Sequence, residues 1–564
     1  MHADISRDTF RPEARYSAVV AQQGRVQLDA DANEQAAIER HRARTVAADL
    51  IGAHGGPRDA AGFRVDFKAG SRELDDLTIG GGRYYVDGIL LDATRPAPGD
   101  AVPDDDTASS AAEAGGDGGQ AGSGAGSGAG ASAAAEPPAP AGWTYWEQPD
   151  AFRDPERPGD RLPTQFPYLA YLTVGERSVT AAEDPLLREV ALGAAMPDTA
   201  ARLKVVWQVL PLPGGSLELD DADGAPEAQV RAAFARWVTA QTPTARMAAR
   251  SRRPDQAGEE PCLVKPDARY RGPENQLYRV EVHEGGTAKE ATFKWSRENG
   301  SVTFAVDGLD GTWVELASLG SDDKLDLNVG DLVEFTDTGA IGRGEPLPLL
   351  RVEEVDLPER RVRLSGEPER HVGRRPELHP FLRRWDHRPA QHRPGSAGTG
   401  GALRIEEGGW LPLEDGVHVY FEPGRTYRSG DYWTVPARTA TGDVEWPTDA
   451  ARRPLLRSPH GIATHYAPLA WVAGEGSVTD LRMVFGPLSG PVPAASAAEL
   501  AAERAAEEES LAAERAAAAE AESAAAEAEG AGEAEAEHSA VGEPGAAESE
   551  PPAPTRRGRR TAGN

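Results

Sequence analysis

The stretch that most limits the fold runs from Leu277 to Val306, because its polar and apolar residues alternate with a period of two. From Leu277 to His283, Tyr278, Val280 and Val282 fall on one side of an extended chain. Arg279, Glu281 and His283 fall on the other, the pattern of a half-buried strand. Gly285-Gly286 interrupts this run, and Ala291 to Arg297 then carries Phe293 and Trp295 on one face. Asn299-Gly300 is the dipeptide that best supplies the two positive φ angles of a type I′ hairpin. Counting outward from it sets Arg297 opposite Val302, Trp295 opposite Phe304 and Phe293 opposite Val306. The expectation is a three-stranded antiparallel meander from Tyr270 to Val306 with its large apolar side chains on one face.

The same alternation recurs along the chain. Tyr84-Tyr85-Val86 and Ile89-Leu90-Leu91 flank Asp87-Gly88, another two-residue hairpin candidate. Strands are expected at Tyr168 to Val174, Leu203 to Leu210, Gly416 to Phe421 and Tyr432 to Val435. The short runs Gly330 to Phe335, Arg351 to Val355 and Arg361 to Leu364 are spaced as in a small antiparallel barrel. Helical patterning is rarer. Asp31 with Glu34 has the spacing of a capping box ahead of Ala36 to Ile51, and Gly52 is a stop signal. Val230, Phe234, Trp237 and Val238 recur on one face of a helix expected over Pro226 to Thr239.

These signals give a mainly β, multidomain chain of antiparallel sandwich and small-barrel modules with some α structure. Its 564 residues allow about two to four domains. The expected divisions are an N-terminal arm, helix and hairpin over 1–95, and a Gly/Ala/Ser-rich flexible linker over 96–142. A β-rich body follows over 143–315, then a barrel-like module over 316–370 and a β-rich region over 371–492. Residues 493–564 are rich in Ala and Glu, with Leu500 and Leu511 their only large apolar residues apart from Val541. Two leucines cannot form a coiled-coil seam, so a disordered or partly helical acidic tail is expected.

A net charge of −31 opposes binding to nucleic acid and to anionic membranes. The basic cluster Arg556 to Arg560 lies beside an acidic run and does not reverse this. Cys262 is the sole cysteine, which excludes an intrachain disulfide framework and a cysteine-built zinc site. The start MHADISRDTF lacks an apolar core, and no run of about 18 apolar residues occurs. Neither a signal peptide nor membrane insertion is expected; synthesis is expected in the cytoplasm, and release from the cell would need another machine or lysis.

No catalytic constellation stands out, so no enzyme activity, cofactor or metal is expected. Asp29 to Asn33 resembles the start of a calcium loop, but Glu34 and Arg40 occupy the sixth and twelfth positions where Gly and Glu are needed. His379, Asp386, His387 and His392 lie among Arg and Pro residues and read as a structural polar loop. His460 and His465 sit among aromatics and read as packing. No nucleophile elbow or Walker loop is present, and carboxylates are too numerous for a glycosidase pair to be located. Trp410, Tyr432 and Trp433 are the candidate surface aromatics, suited to stacking on a sugar ring, although such positions in strands are more often core.

Several blocks resemble an uncharacterised bacterial family that looks phage-tail-related and recurs in gene neighbourhoods of contractile injection systems. They are Ser6 to Phe10, Gln23 to Asp31, Ala48 to Gly52 with His54 to Pro57, Glu183 to Gly193, and Val206 to Val209. Glu274 to Glu281, Phe293 to Ser301 and Gly430 to Trp433 with Pro436 to Thr439 complete the set, which covers roughly residues 1–100 and 143–490. Ala32 departs from the tryptophan that relatives tend to carry there. The resemblance implies a non-enzymatic structural or docking component of a phage-tail-like contractile particle, at its baseplate or tail fibre. Its partners would be other subunits of that particle, with self-association and a glycan ligand as open questions. Candidate docking residues are Arg7, Arg25, Leu28, Asp31 and Asn33. Two other classes stay open: a glycan-binding module or carbohydrate-active enzyme, and an effector carried by the particle.

Overall fold

In a computed structural model the described residues are 2–70, 74–97, 141–193, 198–219, 222, 224–252, 269–320, 325–388, 399–488 and 504–519. Most of the expected 96–142 linker, Cys262 and His392 lie outside them. The chain divides into two compact units, Met1–Gly486 and Pro487–Asn564. In the second, residues 504–519 are helical and exposed throughout.

The first unit is mainly β and is built as a nest of three bodies. The outermost body has a four-stranded antiparallel sheet ordered Ser477–Asp480, Thr464–Gly474, Tyr168–Val179, Arg202–Pro213. Its Ala170, Leu172 and Val174 face a cluster that includes Tyr84, Val86 and Leu91 from the N-terminal strands. Leu169, Tyr171 and Trp471, on the opposite face, pack against Val230 and Phe234 of a helix over Glu227–Ala240. That helix lies one residue from its expected span. The Asp87-Gly88 hairpin is also as expected, with Val86 paired to Ile89 and φ values of 46° and 76° at the turn.

The second body is a sandwich inserted between Arg202–Pro213 and Thr464–Gly474. Its five-stranded sheet is ordered Leu403–Arg404, Thr292–Ser296, Gln276–Val282, Tyr432–Arg438, Asp443–Val444. A three-stranded sheet of Trp410–Pro412, Val417–Phe421 and Met247–Ser251 covers it. Val280 pairs with Trp295 on one side and Trp433 on the other, so one row of large side chains crosses the sheet into the core. Such directly opposed pairs are the unit that stabilises a sheet.

The third body is a closed six-stranded barrel inserted within the sandwich. Its order is Thr303–Asp310, Trp313–Leu316, Arg361–Leu364, Leu349–Asp356, Leu332–Thr336, Phe381–Trp385. The barrel expected from the short runs therefore begins and ends outside residues 316–370, because closure needs a strand from each flank.

The predicted meander is half right. Gln276–Val282 and Thr292–Ser296 do pair, with Val282 opposite Phe293. Asn299 and Gly300 do have positive φ, 53° and 66°. They close no hairpin, however, because Thr303–Asp310 leaves the sandwich and pairs with Trp313–Leu316 and Phe381–Trp385 in the barrel. Val302 and Phe304 accordingly sit in the barrel core and not opposite Arg297 and Trp295.

The first long helix, α1, spans Asp29–Ile51 and starts two residues before the expected cap. Asp31 is at its third position and accepts from Leu28 N at 3.2 Å, so it serves the cap in the role expected of Glu34. Asp29, the first residue of the calcium-like run, accepts from Ser6 N at 2.7 Å and Ser6 Oγ at 2.8 Å. Among the described residues no group of three or more His, Cys, Asp or Glu is arranged to hold a metal, and no helix is long and apolar enough to cross a membrane.

Candidate functional site

The polar face of Gln276–Val282 was expected to meet solvent, yet every residue of this strand is buried. The barrel covers it. In the sandwich sheet Glu281 stands opposite Lys294, and Arg279 opposite Ser296. In the barrel wall Glu334 stands opposite Arg383, while their neighbours Val333, Phe335 and Leu382 point into the barrel core. Alternation along each strand thus gives two sheets an apolar inside and a charged outside, and the charged outsides are pressed together.

Lys294 bridges them. Its Nζ donates to both oxygens of Glu334 at 2.9 Å and lies 3.3 Å from Glu281 Oε1. It also lies 4.4 Å from the centre of the Trp385 ring, whose Nε1 donates to Glu334 Oε2 at 3.1 Å. Arg279 Nε donates to Glu281 Oε2 at 2.6 Å, and its guanidinium stacks 3.5 Å from the Tyr432 ring centre. Burial would raise the Glu281 carboxyl, but Arg279, Lys294 and His2 hold it well below the usual carboxylate range. Glu334 is lowered in the same way, against burial, by Lys294, Arg383 and His283.

His2 closes the assembly from the N-terminus. Its backbone N donates to Ser178 Oγ at 2.7 Å in the outer body, its Nε2 donates to Glu281 Oε2 at 3.0 Å, and its ring meets the edge of Trp385. One residue therefore touches all three bodies. Burial, then Arg279 and Arg383, push its pKa well below the ordinary value despite Glu281. The contact with Glu281 is consequently a hydrogen bond from a neutral imidazole and not an ion pair at neutral pH. Asn299 secures the next residue, donating from Nδ2 to Ala3 O at 2.9 Å.

A parallel cluster lies beside it. Asp386 accepts from Arg297 N at 2.8 Å and Ser296 Oγ at 3.2 Å, and Arg297 grips Glu414 through Nε and Nη2. His387 Nε2 meets Gly401 O at 3.0 Å, so Asp386 and His387 both contact the chain's own backbone, while His379 follows a short 3-10 turn at φ 47°. His460 Nδ1 accepts from Thr434 N at 3.0 Å, and burial pushes this ring down to about 4. His465 Nδ1 meets Asp87 Oδ2 at 2.7 Å.

A small cleft of about 110 Å³ opens onto the first cluster at the seam between sandwich and barrel. Glu281, His283, Lys294, Glu334 and Arg383 form its polar wall, and Val282, Ala340, Ile341 and Leu347 its apolar wall. The helix Thr338–Arg343 supplies one rim and Ser429-Gly430 the other.

The candidate surface aromatics do not form an open platform. Trp433 belongs to the sandwich core, fully buried, with Nε1 donating to Arg457 O at 2.9 Å, because its place opposite Val280 turns it inward. Tyr432 points the other way but lies under Arg279, and Trp410 lies under Arg250 at 3.9 Å. Among the docking candidates, Arg7 pairs with Glu445 at 2.9 Å on the chain's own sandwich. Arg25, Leu28 and Asn33 are exposed, and Asp31 is engaged at the helix cap. The charged cluster went unnamed in the sequence because charges at alternate strand positions usually face water. Its one trace was the mixing of both signs at Arg279, Glu281 and Lys294 beside bulky aromatics.

The model of a family described as a family of unknown function, DUF6519, matches residues 1–118 and 214–549. No curated protein matches the chain, and no solved structure does. The match covers well over half of the sequence, and the chain belongs to that family.

Proposed function

We propose that this member of the DUF6519 family is a non-enzymatic structural component of a phage-tail-like contractile particle, at its baseplate or fibre end, joined to a neighbouring subunit through residues 11–28 and α1. In this reading the chain is assembled into the particle inside the cell. The observation that carries the docking element is exposure. Tyr16, Val20, Val26 and Leu28 are 67, 79, 83 and 49 % exposed, and Val46 and Leu50 of α1 are 51 and 61 % exposed. Only Ala30 and Ile38 of the helix are buried. Single exposed apolar residues are ordinary, but six fall within residues 16–50, which favours this segment as the contact with a partner. Residues 2–7, by contrast, are fastened to the chain's own body through His2, Ala3, the Ser6 carbonyl, which accepts from Arg438 Nη2 at 2.8 Å, and Arg7, so the exposed segment begins beyond them. The resemblance of the N-terminal blocks to a phage-tail-related family supplies the identity of the particle.

The test is quantitative mass spectrometry of sheath-containing particles purified from the native host, for the native chain and for an Arg25→Glu, Leu28→Asp variant. A fixed small copy number relative to sheath, lost in the variant while its isolated body stays folded, is the expected result. Absence of the native chain from particles would overturn the assignment, and undiminished incorporation of the variant would overturn docking through this segment.

A further inference from the structure

The cleft at the seam holds two polar side chains that nothing in the fold accounts for. Arg383 is 7 % exposed, yet its Nε has no hydrogen-bond partner, and its guanidinium forms no ion pair among the described residues; its nearest aromatic contact is Phe381 at 5.3 Å. His283 is 4 % exposed and its Nδ1 is likewise buried without a partner. Both line the same cleft, one from the barrel strand Phe381–Trp385 and one from just beyond the sandwich strand Gln276–Val282. Glu334, Glu281 and Glu183 act on Arg383 through space but none is in ion-pair contact with it; a buried cation without a direct partner is costly, and so is a buried imidazole nitrogen without one. The neighbouring Lys294 and Arg279 are, in contrast, fully engaged with Glu281 and Glu334.

We propose that this cleft binds a short aliphatic monocarboxylate, its carboxylate held by Arg383 and His283 and its carbon chain lying against Ala340, Ile341 and Leu347. Charge selects the valence. Lys294 and Arg383 in the cleft wall, with Arg279 behind them, face Glu281 and Glu334, while the nearby Glu345 is paired with Arg157 and Glu183 with Arg177, so one negative charge brings the set to neutrality. A dianion such as phosphate would meet Glu281 and Glu334 at close range with charge in excess. The planar guanidinium matches a carboxylate with two parallel N–H donors, and the neutral imidazole adds a third. Shape selects the size, because a cleft of about 110 Å³ with one apolar wall has room for only a few carbon atoms beyond the carboxylate. The site joins elements of two bodies, so occupancy would also clamp sandwich to barrel.

The experiment is thermal unfolding and isothermal titration of the full chain with acetate, propionate, butyrate and octanoate at constant ionic strength, with chloride as reference and phosphate as a dianion control. The expected result is a saturable upward shift in melting temperature that strengthens from acetate to butyrate and is lost with octanoate. Arg383→Gln should weaken binding at least 10-fold. Should that variant not fold, Ile341→Trp, which fills the apolar side of the cleft from a partly exposed position outside the barrel core, should abolish butyrate binding and spare the fold. No response beyond chloride overturns the proposal. A stronger response to phosphate overturns the monocarboxylate assignment, and butyrate binding that survives Ile341→Trp overturns the location.

Discussion

The two faces of the strand Gln276–Val282 are equally hidden from water and built from opposite chemistry. On one, Tyr278, Val280 and Val282 pack with Trp295 and Trp433; on the other, Arg279 and Glu281 meet Lys294 and the barrel's Glu334. Apolar packing is non-directional and tolerates exchange of similar volumes, whereas buried ion pairs hold only in one geometry. The apolar face therefore makes the sandwich stable, and the charged face fixes how the barrel is seated on it.

Removing one charge should give the largest effect. Lys294→Met leaves Glu281 and Glu334 buried without their shared cation and should cost about 3–5 kcal/mol in urea unfolding at pH 7. Replacing Glu334 by Gln as well removes the carboxylate that loses both Lys294 hydrogen bonds while leaving Arg279 on Glu281, and should recover part of that loss; a double variant no better than the single one would show that Lys294 does not act through Glu334. Next comes pH. Burial, with Lys294 beside it, lowers His283 from 6.5 to about 4, so the unfolded chain takes up a proton that the folded chain refuses. Its contribution is complete above pH 6.5 and declines as pH falls towards 4, by up to roughly 3 kcal/mol. Glu281 and Glu334, both lowered, keep their contribution down to the ordinary carboxyl value of 4.5 and lose it below that. Unfolding of the native chain and of His283→Gln at pH 7 and pH 5 should show a smaller pH dependence in the variant.

On the apolar face, Val280→Ala should cost about 2 kcal/mol, with the same value at pH 7 and pH 5. A pH-dependent cost would blur the distinction between the faces. Asn299→Ala removes the donor to Ala3 O and places alanine at φ 53°, for about 1–2 kcal/mol, and should speed proteolytic cleavage within residues 11–28. Smallest is Trp410→Ala, which loses the Arg250 stack and the cross-strand contact with Tyr420 at the sandwich surface and should cost about 1 kcal/mol.

Local signals were legible wherever a residue's neighbours in sequence are also its neighbours in space. The Asp87-Gly88 hairpin, the helix over Glu227–Ala240 and the barrel strands at Leu332–Thr336 and Arg361–Leu364 all follow from pattern and turn chemistry. Asn299-Gly300 shows the limit. Its backbone has the angles its sequence demands, like Asp87-Gly88, but Thr303–Asp310 finds better partners in the barrel, a choice made by residues up to about 80 positions away. The candidate site was hidden for the same reason. Nothing near Glu281 in sequence says that Glu334 and Arg383 will cover it, and burial of its polar face exists only once the barrel has closed.

The nesting of one body inside another also orders events in time during synthesis. The strand Tyr168–Val179 emerges early but must wait for Thr464–Gly474, nearly 300 residues later, before one of its edges is paired. The barrel, whose strands span fewer than 90 residues, can close while that edge is still open. The chain would thus mature from the inside outward, and in that interval the unpaired edge of Tyr168–Val179 is the place where a nascent molecule is most exposed to pairing with another copy of itself.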